Sequence, residues 1–262
     1  MSVVFITIPG SAKRDFANAL NERVDGGLAL VILQKSPQKP LLRKIIEAFT
    51  YRGLGIFREM WYAVLLRSND RVRNALAYFG GGNLPAVSDG YMVPTMEVQS
   101  VNSDEVYEAL QKISPDLLVV WGSTILTPRI LSTAKRAINL HLGFCPYYRG
   151  ALANQCAILD DEFSRIGATV HYINGKADAG DILTVISADA QMHPQELFSD
   201  LHARAAEAYL SIATALYRGE VLPSVPQDIS KSKNFFLRDW VPSVRYKVGK
   251  KVLAWEERMT RS

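Results

Sequence analysis

The chain has 262 residues, 48% hydrophobic and 21% charged, a composition of ordinary globular proteins that excludes a disordered or fibrous one. Thirty Lys and Arg against 26 Asp and Glu leave a formal net charge of +4, which permits nucleic acid, a membrane surface or a phosphorylated small molecule as partner and selects none of them. The two cysteines, Cys145 and Cys156, form neither a disulfide framework nor a CxxC metal pair, and suit a reducing cytoplasm.

The first residues, Met1 to Gly10, lack the positive start of a signal peptide, and no window approaches the roughly 20 apolar residues that span a bilayer. A cytoplasmic protein without stable membrane insertion is expected. Residues 2–8 are β-branched and aromatic, Pro9-Gly10-Ser11 breaks the run, and apolar residues then recur at helical spacing through Phe16, Ala19 and Leu20. A second apolar run, Gly27 to Leu33, follows at the distance of a parallel partner strand, so the chain opens with a βαβ unit. Pro9-Gly10-Ser11 either turns the chain and caps the helix or holds a phosphate at free N–H groups, which makes Gly10 and Ser11 candidate substrate contacts.

From Lys35 to Arg73, nine Lys or Arg stand against three Asp or Glu, interleaved with Phe49, Tyr51, Phe57, Trp61 and Tyr62. This insertion, about 36–90, reads as amphipathic helices that cover one sheet face and leave their basic residues in solvent; docking on a membrane or nucleic acid is the alternative. Gly80-Gly81-Gly82-Asn83 and Pro85 mark a loop, and Asn102-Ser-Asp-Glu105 opens a helix reaching Ile113.

Leu117 to Trp121 is wholly apolar, as in a central strand buried on both faces. Further strands are predicted at Ala137 to Leu142, Ala168 to Ile173 and Ile182 to Ile186, and a long helix from Pro194 to Tyr217. The fold class is therefore α/β, a Rossmann-like open and mostly parallel sheet with helices on both faces, over residues 1–219. Residues 220–262 form a basic, aromatic-rich C-terminal extension too short for a second sizeable domain, expected to pack on the first, make a homodimer contact or shape the acceptor site.

The densest cluster of polar function is Asn139-Leu-His141, followed by Tyr148, Arg149 and Gly150. Residues two apart in a strand share a face, so Asn139 and His141 project together at a carboxyl strand end, where open parallel sheets bind ligands. Alone, each reads as a buried turn amide or a satisfied core histidine. With Asp178 in the segment Ala177-Asp178-Ala179-Gly180-Asp181, they supply an amide donor, an imidazole and a carboxylate able to orient it.

The run from Ile138 to Leu183 resembles the folate-dependent formyltransferase family, in which an Asn-x-His strand end leads to Pro-x-Tyr-Arg-Gly and a later Asp-x-Gly-Asp. Here these are Asn139, His141, Pro146-Tyr-Tyr-Arg149-Gly150 and Asp178-Ala-Gly-Asp181. The resemblance covers roughly residues 100–215. Two positions depart from it: Gly143 replaces a common serine, and Ala177 a usual leucine. The resemblance implies Asn139, His141 and Asp178 as catalytic residues, with no metal required, and 10-formyltetrahydrofolate as co-substrate. Its pterin would lie near Trp121, Gly122, Ser123, Ile125, Asn174, Ala177 and Asp178, although Gly122-Ser123 also reads as a tight turn. Tyr148, Arg149 and Gly150 join Gly10 and Ser11 as candidate substrate contacts.

Members of this family formylate methionyl-tRNA, glycinamide ribonucleotide or nucleotide-linked amino sugars. A tRNA enzyme normally adds a β-barrel after its catalytic domain, and about 45 residues follow Gly219, so a nucleotide-sugar acceptor of the GDP-perosamine type, for surface polysaccharide (O-antigen), is the expectation, and no nucleic acid partner. The alternatives are a methionyl-tRNA or glycinamide-ribonucleotide formyltransferase, then a non-catalytic folate-binding or interaction protein with the same fold, and third a hydrolase releasing formate.

Overall fold

The computed structural model describes residues 1–35, 53–80 and 87–260; Phe49, Tyr51, the loop residues Gly81 to Pro85 and most of the first half of the predicted insertion lie outside them. Val3–Thr7 (β1) is buried at every position, as expected of a strand covered on both sides. It pairs in parallel with Leu28–Gln34 (β2) and with Leu117–Trp121 (β4), while Ser11–Arg23 (α1) makes the crossover between β1 and β2. Thr95–Val98 (β3) extends the sheet beyond β2, and Arg136–His141 (β5) lies beside β4. Gly167–Tyr172 (β7) and Ile182–Ser187 (β8) complete the seven-stranded order β3-β2-β1-β4-β5-β7-β8. Six strands point the same way. β7 alone is reversed, antiparallel to both β5 and β8, a direction that hydrophobic spacing does not report, and β3 is a strand the sequence reading does not contain.

Alternation along the strands sends side chains into two layers. Phe5, Val119, Ile138 and Val170 meet α1 and the long helix Pro194–Tyr217 (α7). Ile6, Ile32, Leu118 and Val120 meet Asp104–Ile113 (α4) and the one-turn helix Pro128–Leu131 (α5). The sheet is thus the centre of an α/β sandwich with helices on both faces. Tyr209 of α7 ties the layers together: its ring stacks on Phe16 at 5.3 Å and its hydroxyl reaches between β4 and β5. That hydroxyl accepts from the Val120 N–H at 2.7 Å and has the Val120 and Ile138 carbonyls at 2.8 and 3.0 Å for its own proton. Tyr209→Phe strands the buried Val120 N–H, so it should cost about 1–3 kcal/mol in urea unfolding. A change under about 0.5 kcal/mol, the usual scatter of a surface substitution, would mean that another group takes its place.

The insertion and the C-terminal extension are one structural unit. Gly55–Ser68 (α2) and Asp70–Ala77 (α3) pack on Pro242–Met259 (α8) rather than spreading over the sheet, which differs from the expectation for this segment. The buried Glu59 carboxylate accepts from the Ser243 N–H and Oγ at 2.9 and 2.8 Å, closing the first turn of α8. Burial pushes the Glu59 carboxyl up, but its hydrogen bonds from Ser243 and Arg58 outweigh this and hold it below the ordinary value. Between α7 and α8 the extension runs back along the sheet end: Val225 bridges to Ile182, and Lys233–Phe235 (β9) pairs in parallel with Tyr148–Gly150 (β6). The helix Ala153–Leu159 (α6) follows β6 and also packs on α8.

Candidate active site

β5 delivers Asn139 and His141 to the carboxyl end of the sheet. Because β7 is antiparallel to β5, Asn139 lies opposite His171 and His141 opposite Thr169. Directly opposed residues share a face, so two pairs spaced by two converge. Thr169 pins the turn that follows, donating to the Gly143 carbonyl at 2.7 Å and accepting from the Cys145 N–H at 3.1 Å. Gly143 itself has no room for a side chain, since a Cβ there would lie 2.2 Å from His141 Nε2 and 2.3 Å from the Ala153 Cβ. The glycine that replaces a serine is therefore what lets this turn close over the imidazole.

Asp178 enters from the loop between β7 and β8 with a left-handed φ of 44°, a conformation that aspartate tolerates better than most residues. Asn174 holds that loop, donating to the Ala179 carbonyl at 3.0 Å and accepting from the Lys176 N–H at 3.1 Å. The carboxylate then collects the cluster. Asn139 Nδ2 donates to Oδ1 at 3.1 Å, the Gly150 N–H donates to Oδ2 at 2.9 Å, and His141 Nδ1 and His171 Nε2 stand 3.4 Å from Oδ2 and Oδ1. Asn139 Nδ2 also lies 3.2 Å from His171 Nε2, so both of its hydrogens have acceptors within the cluster.

The ring roles follow from these partners. His171 Nδ1 faces the Tyr172 carbonyl at 2.7 Å and must carry its proton there, leaving Nε2 to accept from Asn139. His141 Nε2 faces the Tyr148 carbonyl at 3.1 Å and likewise must donate. Burial drives the His141 imidazole below its ordinary value, against the pull of the Asp178 charge, and its Nδ1 is turned to a carboxylate oxygen at 3.4 Å. Burial pushes the Asp178 carboxyl up, yet the charge that His141 can carry, His171 and the Gly150 N–H more than offset it and hold it well below the usual carboxylate range. Cys145 beside them is inert: burial, then the Asp178 charge, raise its thiol to about 12.

The structure thus brings Asn139, His141 and Asp178 together, with Gly150 and Arg149 alongside. Arg149 donates to the Ala177 carbonyl at 3.0 Å and to Ser232 Oγ at 2.8 Å, joining the Asp178 loop to the C-terminal extension. Gln227 of the extension donates to the Gly180 carbonyl. Tyr148, expected as a substrate contact, instead buries its ring and directs its hydroxyl to Asp160 Oδ2 at 2.9 Å; only its carbonyl serves the cluster. Asn174 uses its side chain within its own loop rather than presenting it to a ligand. His171 is the member that the sequence reading lacks, and the signal for it was the Thr169-x-His171 spacing, which matches Asn139-x-His141.

At the neighbouring strand ends, Trp121 is buried under Lys13, whose amine lies 5.4 Å from the ring centroid. Gly122 turns the chain at φ 81°, Ser123 bonds the Thr124 carbonyl, and Ile125 is exposed. Gly10 precedes α1 and Ser11 is its exposed first residue. A hollow of about 660 Å³ along α1, lined by Asp15, Asn18, Glu22 and Tyr91, shares no lining residue with the Asp178 cluster. On α7, burial and then the Lys13 charge push the His202 imidazole down to about 4. Its folded value is below the unfolded 6.5, so the unfolded state takes up more protons between the two, and stability present above pH 6.5 is lost as pH falls towards 4. The loss attributable to His202 should be about 2–3 kcal/mol. Chemical denaturation at pH 7 and pH 4.5 should show a smaller acid loss in His202→Gln, and an undiminished loss would place the linkage elsewhere.

Comparison with known proteins agrees with this architecture. The methionyl-tRNA formyltransferase of Syntrophus aciditrophicus is 27% identical over 175 residues, 65% of this chain and 53% of its own. The chain spans about half the length of the curated relatives it matches. Among solved structures, a sugar N-formyltransferase from a Shewanella species superposes with a TM-score of 0.60 at 12% identity, covering 97% of this chain and 88% of the other. An N-formyltransferase from Helicobacter canadensis, solved with folinic acid and dTDP-3-aminofucose, gives 0.55 at 14% identity, covering 98% and 82%. Residues 82–213, half of the chain, match the formyl transferase family and carry the entire Asn139, His141 and Asp178 cluster, and the chain belongs to that family.

Proposed function

We propose that this chain transfers the formyl group of 10-formyltetrahydrofolate to the amino group of a nucleotide-linked amino sugar of the GDP-perosamine type, in the assembly of a surface polysaccharide. The observation that carries the transfer reaction is His141 Nδ1 held 3.4 Å from Asp178 Oδ2. An imidazole and a carboxylate held together can take up one proton jointly, and an attacking amine has one to lose.

The Asp178 side chain is 16% exposed and that of His141 7%, so the carboxylate is the outer member and the first to meet the amine. It stays ionised and stabilises the nitrogen as that nitrogen becomes cationic. The proton then comes to rest between Oδ2 and Nδ1, where burial no longer opposes it because the pair is neutral overall. Donation from Asn139 to the developing oxyanion requires one of its two internal hydrogen bonds to be released, and the one to the His171 ring is weaker than the one to a carboxylate. Bound folate would supply the formyl carbon, and the proton held between Asp178 and His141 would pass to the folate nitrogen as its bond to that carbon breaks. Exposed Ile125, after the Gly122 turn, suits one face of a flat ring system. Gly10 and Ser11, with the Lys13 amine beside them, suit an anionic part of the acceptor.

The sugar acceptor is supported by the reach of the likeness: the sugar N-formyltransferase structures align over 97–98% of this chain, through α2 and α8. Within the described residues, the segment after Gly219 returns to brace the Asp178 loop. The names of the curated relatives favour methionyl-tRNA as a second reading. The test is incubation with 10-formyltetrahydrofolate and a panel of GDP-, dTDP- and UDP-linked amino sugars, beside methionyl-tRNA and glycinamide ribonucleotide, with product mass as the readout. A formyl gain on a sugar supports the proposal; a gain on tRNA alone replaces the acceptor, and formate without acylated product makes the protein a hydrolase.

A further inference from the structure

α2 is mounted with its apolar side outward. Leu54, Phe57, Met60, Trp61 and Val64 are 85%, 65%, 59%, 63% and 59% exposed. At about 100° per residue these positions fall on one face, with Arg58 on one border and Arg67 on the other. The opposite face is committed: Leu66 is in the main core, Glu59 closes the first turn of α8, and Tyr62 meets Tyr246 at 5.8 Å. The helix therefore cannot roll to hide its stripe without breaking a buried hydrogen-bonded carboxylate from its partners.

We propose that α2 is a docking face for an anionic phospholipid surface, entered by Phe57, Met60, Trp61 and Val64 and flanked by Arg58 and Arg67. Aromatic and aliphatic side chains in the middle with arginines at the borders are the arrangement of a helix lying in the plane of a membrane interface, where long basic side chains reach up to headgroup phosphates. The charge selects the partner. Among the described residues of α2 and α3, Arg58, Arg67, Arg71 and Arg73 stand against Glu59 and Asp70, so a symmetric contact between two copies would set like charges together, whereas anionic lipid is attracted. A contiguous exposed apolar stripe is otherwise uncommon on a monomer. Among the described residues no helix is long and apolar enough to cross a membrane. This inference does not rest on the proposed reaction.

The experiment is co-sedimentation of the full chain with phosphatidylcholine vesicles, with and without phosphatidylglycerol. Binding is expected only to the phosphatidylglycerol vesicles and should weaken as salt is raised. The double variant Phe57→Ser, Trp61→Ser should bind at least about tenfold more weakly, and Arg67→Gln about fivefold. All three sites are exposed, so thermal unfolding should be unchanged and misfolding is separable from lost binding. No binding to phosphatidylglycerol vesicles, or equal binding by the double variant, overturns the proposal. A wild-type dimer in sedimentation equilibrium that the double variant dissociates, without vesicle binding, overturns it in favour of a second copy.

Discussion

Asp178→Asn should lower turnover by about a hundredfold or more while the protein still folds. The substitution keeps the shape and removes the charge on which every partner depends. Oδ1 accepts from Asn139 and Oδ2 from the Gly150 N–H, so whichever way the new amide turns, its NH2 meets one of these donors. More consequentially, nothing remains to stabilise a cationic nitrogen or a protonated His141. His141→Ala should fall by a similar factor, and the double variant by little more, because the two groups hold one proton jointly. Single-turnover measurements on purified, folded variants read this directly, and near-wild-type turnover in either would remove the mechanism. In the wild type, burial keeps the His141 imidazole below 6.5, so kcat/KM should hold at neutral pH and fall only as pH drops below that value.

Gly150→Ala should damage both stability and activity, through one atom. Gly150 has a φ of 84°, and a Cβ there would lie 2.1 Å from the Phe235 carbonyl oxygen and 2.6 Å from Asn234 Oδ1. A left-handed alanine costs about 1–2 kcal/mol by itself, and the backbone of β9 must move as well. That movement opens the β6–β9 pair and the bond from the Ala151 N–H to the Phe235 carbonyl at 3.0 Å. It also withdraws the Gly150 N–H from Asp178. Denaturant unfolding should show a loss of about 2–4 kcal/mol, and turnover of the folded fraction should fall by at least about tenfold, the scale of a lost hydrogen bond to a charge. Reduced stability with full turnover would mean that the C-terminal extension does not hold the carboxylate in place.

Much of this protein was legible without coordinates. β1, β4, β5 and α7 stand where apolar spacing places them, because a strand buried on both faces and a long amphipathic helix each leave a local period that few other structures produce. Asn139 and His141 were readable for the same reason, since a spacing of two puts both on one face, and the run through Asp178 resembled one family. What local sequence does not contain is direction and distance between segments. The antiparallel turn of β7 sets His171 against Asn139, and no local period distinguishes it from a parallel strand. The burial of Tyr148 and the bracing of the Asp178 loop by Gln227, and by Ser232 through Arg149, depend on an extension that returns across the sheet end, about 50 residues after Asp178. The insertion shows the limit most plainly. Its apolar residues repeat at helical spacing on more than one face, and spacing alone cannot say which face is inward. Only the docking of Glu59 on Ser243 and of Leu66 in the core turns Phe57 and Trp61 to the outside, because a buried carboxylate held by two donors outweighs the choice of which apolar stripe to hide.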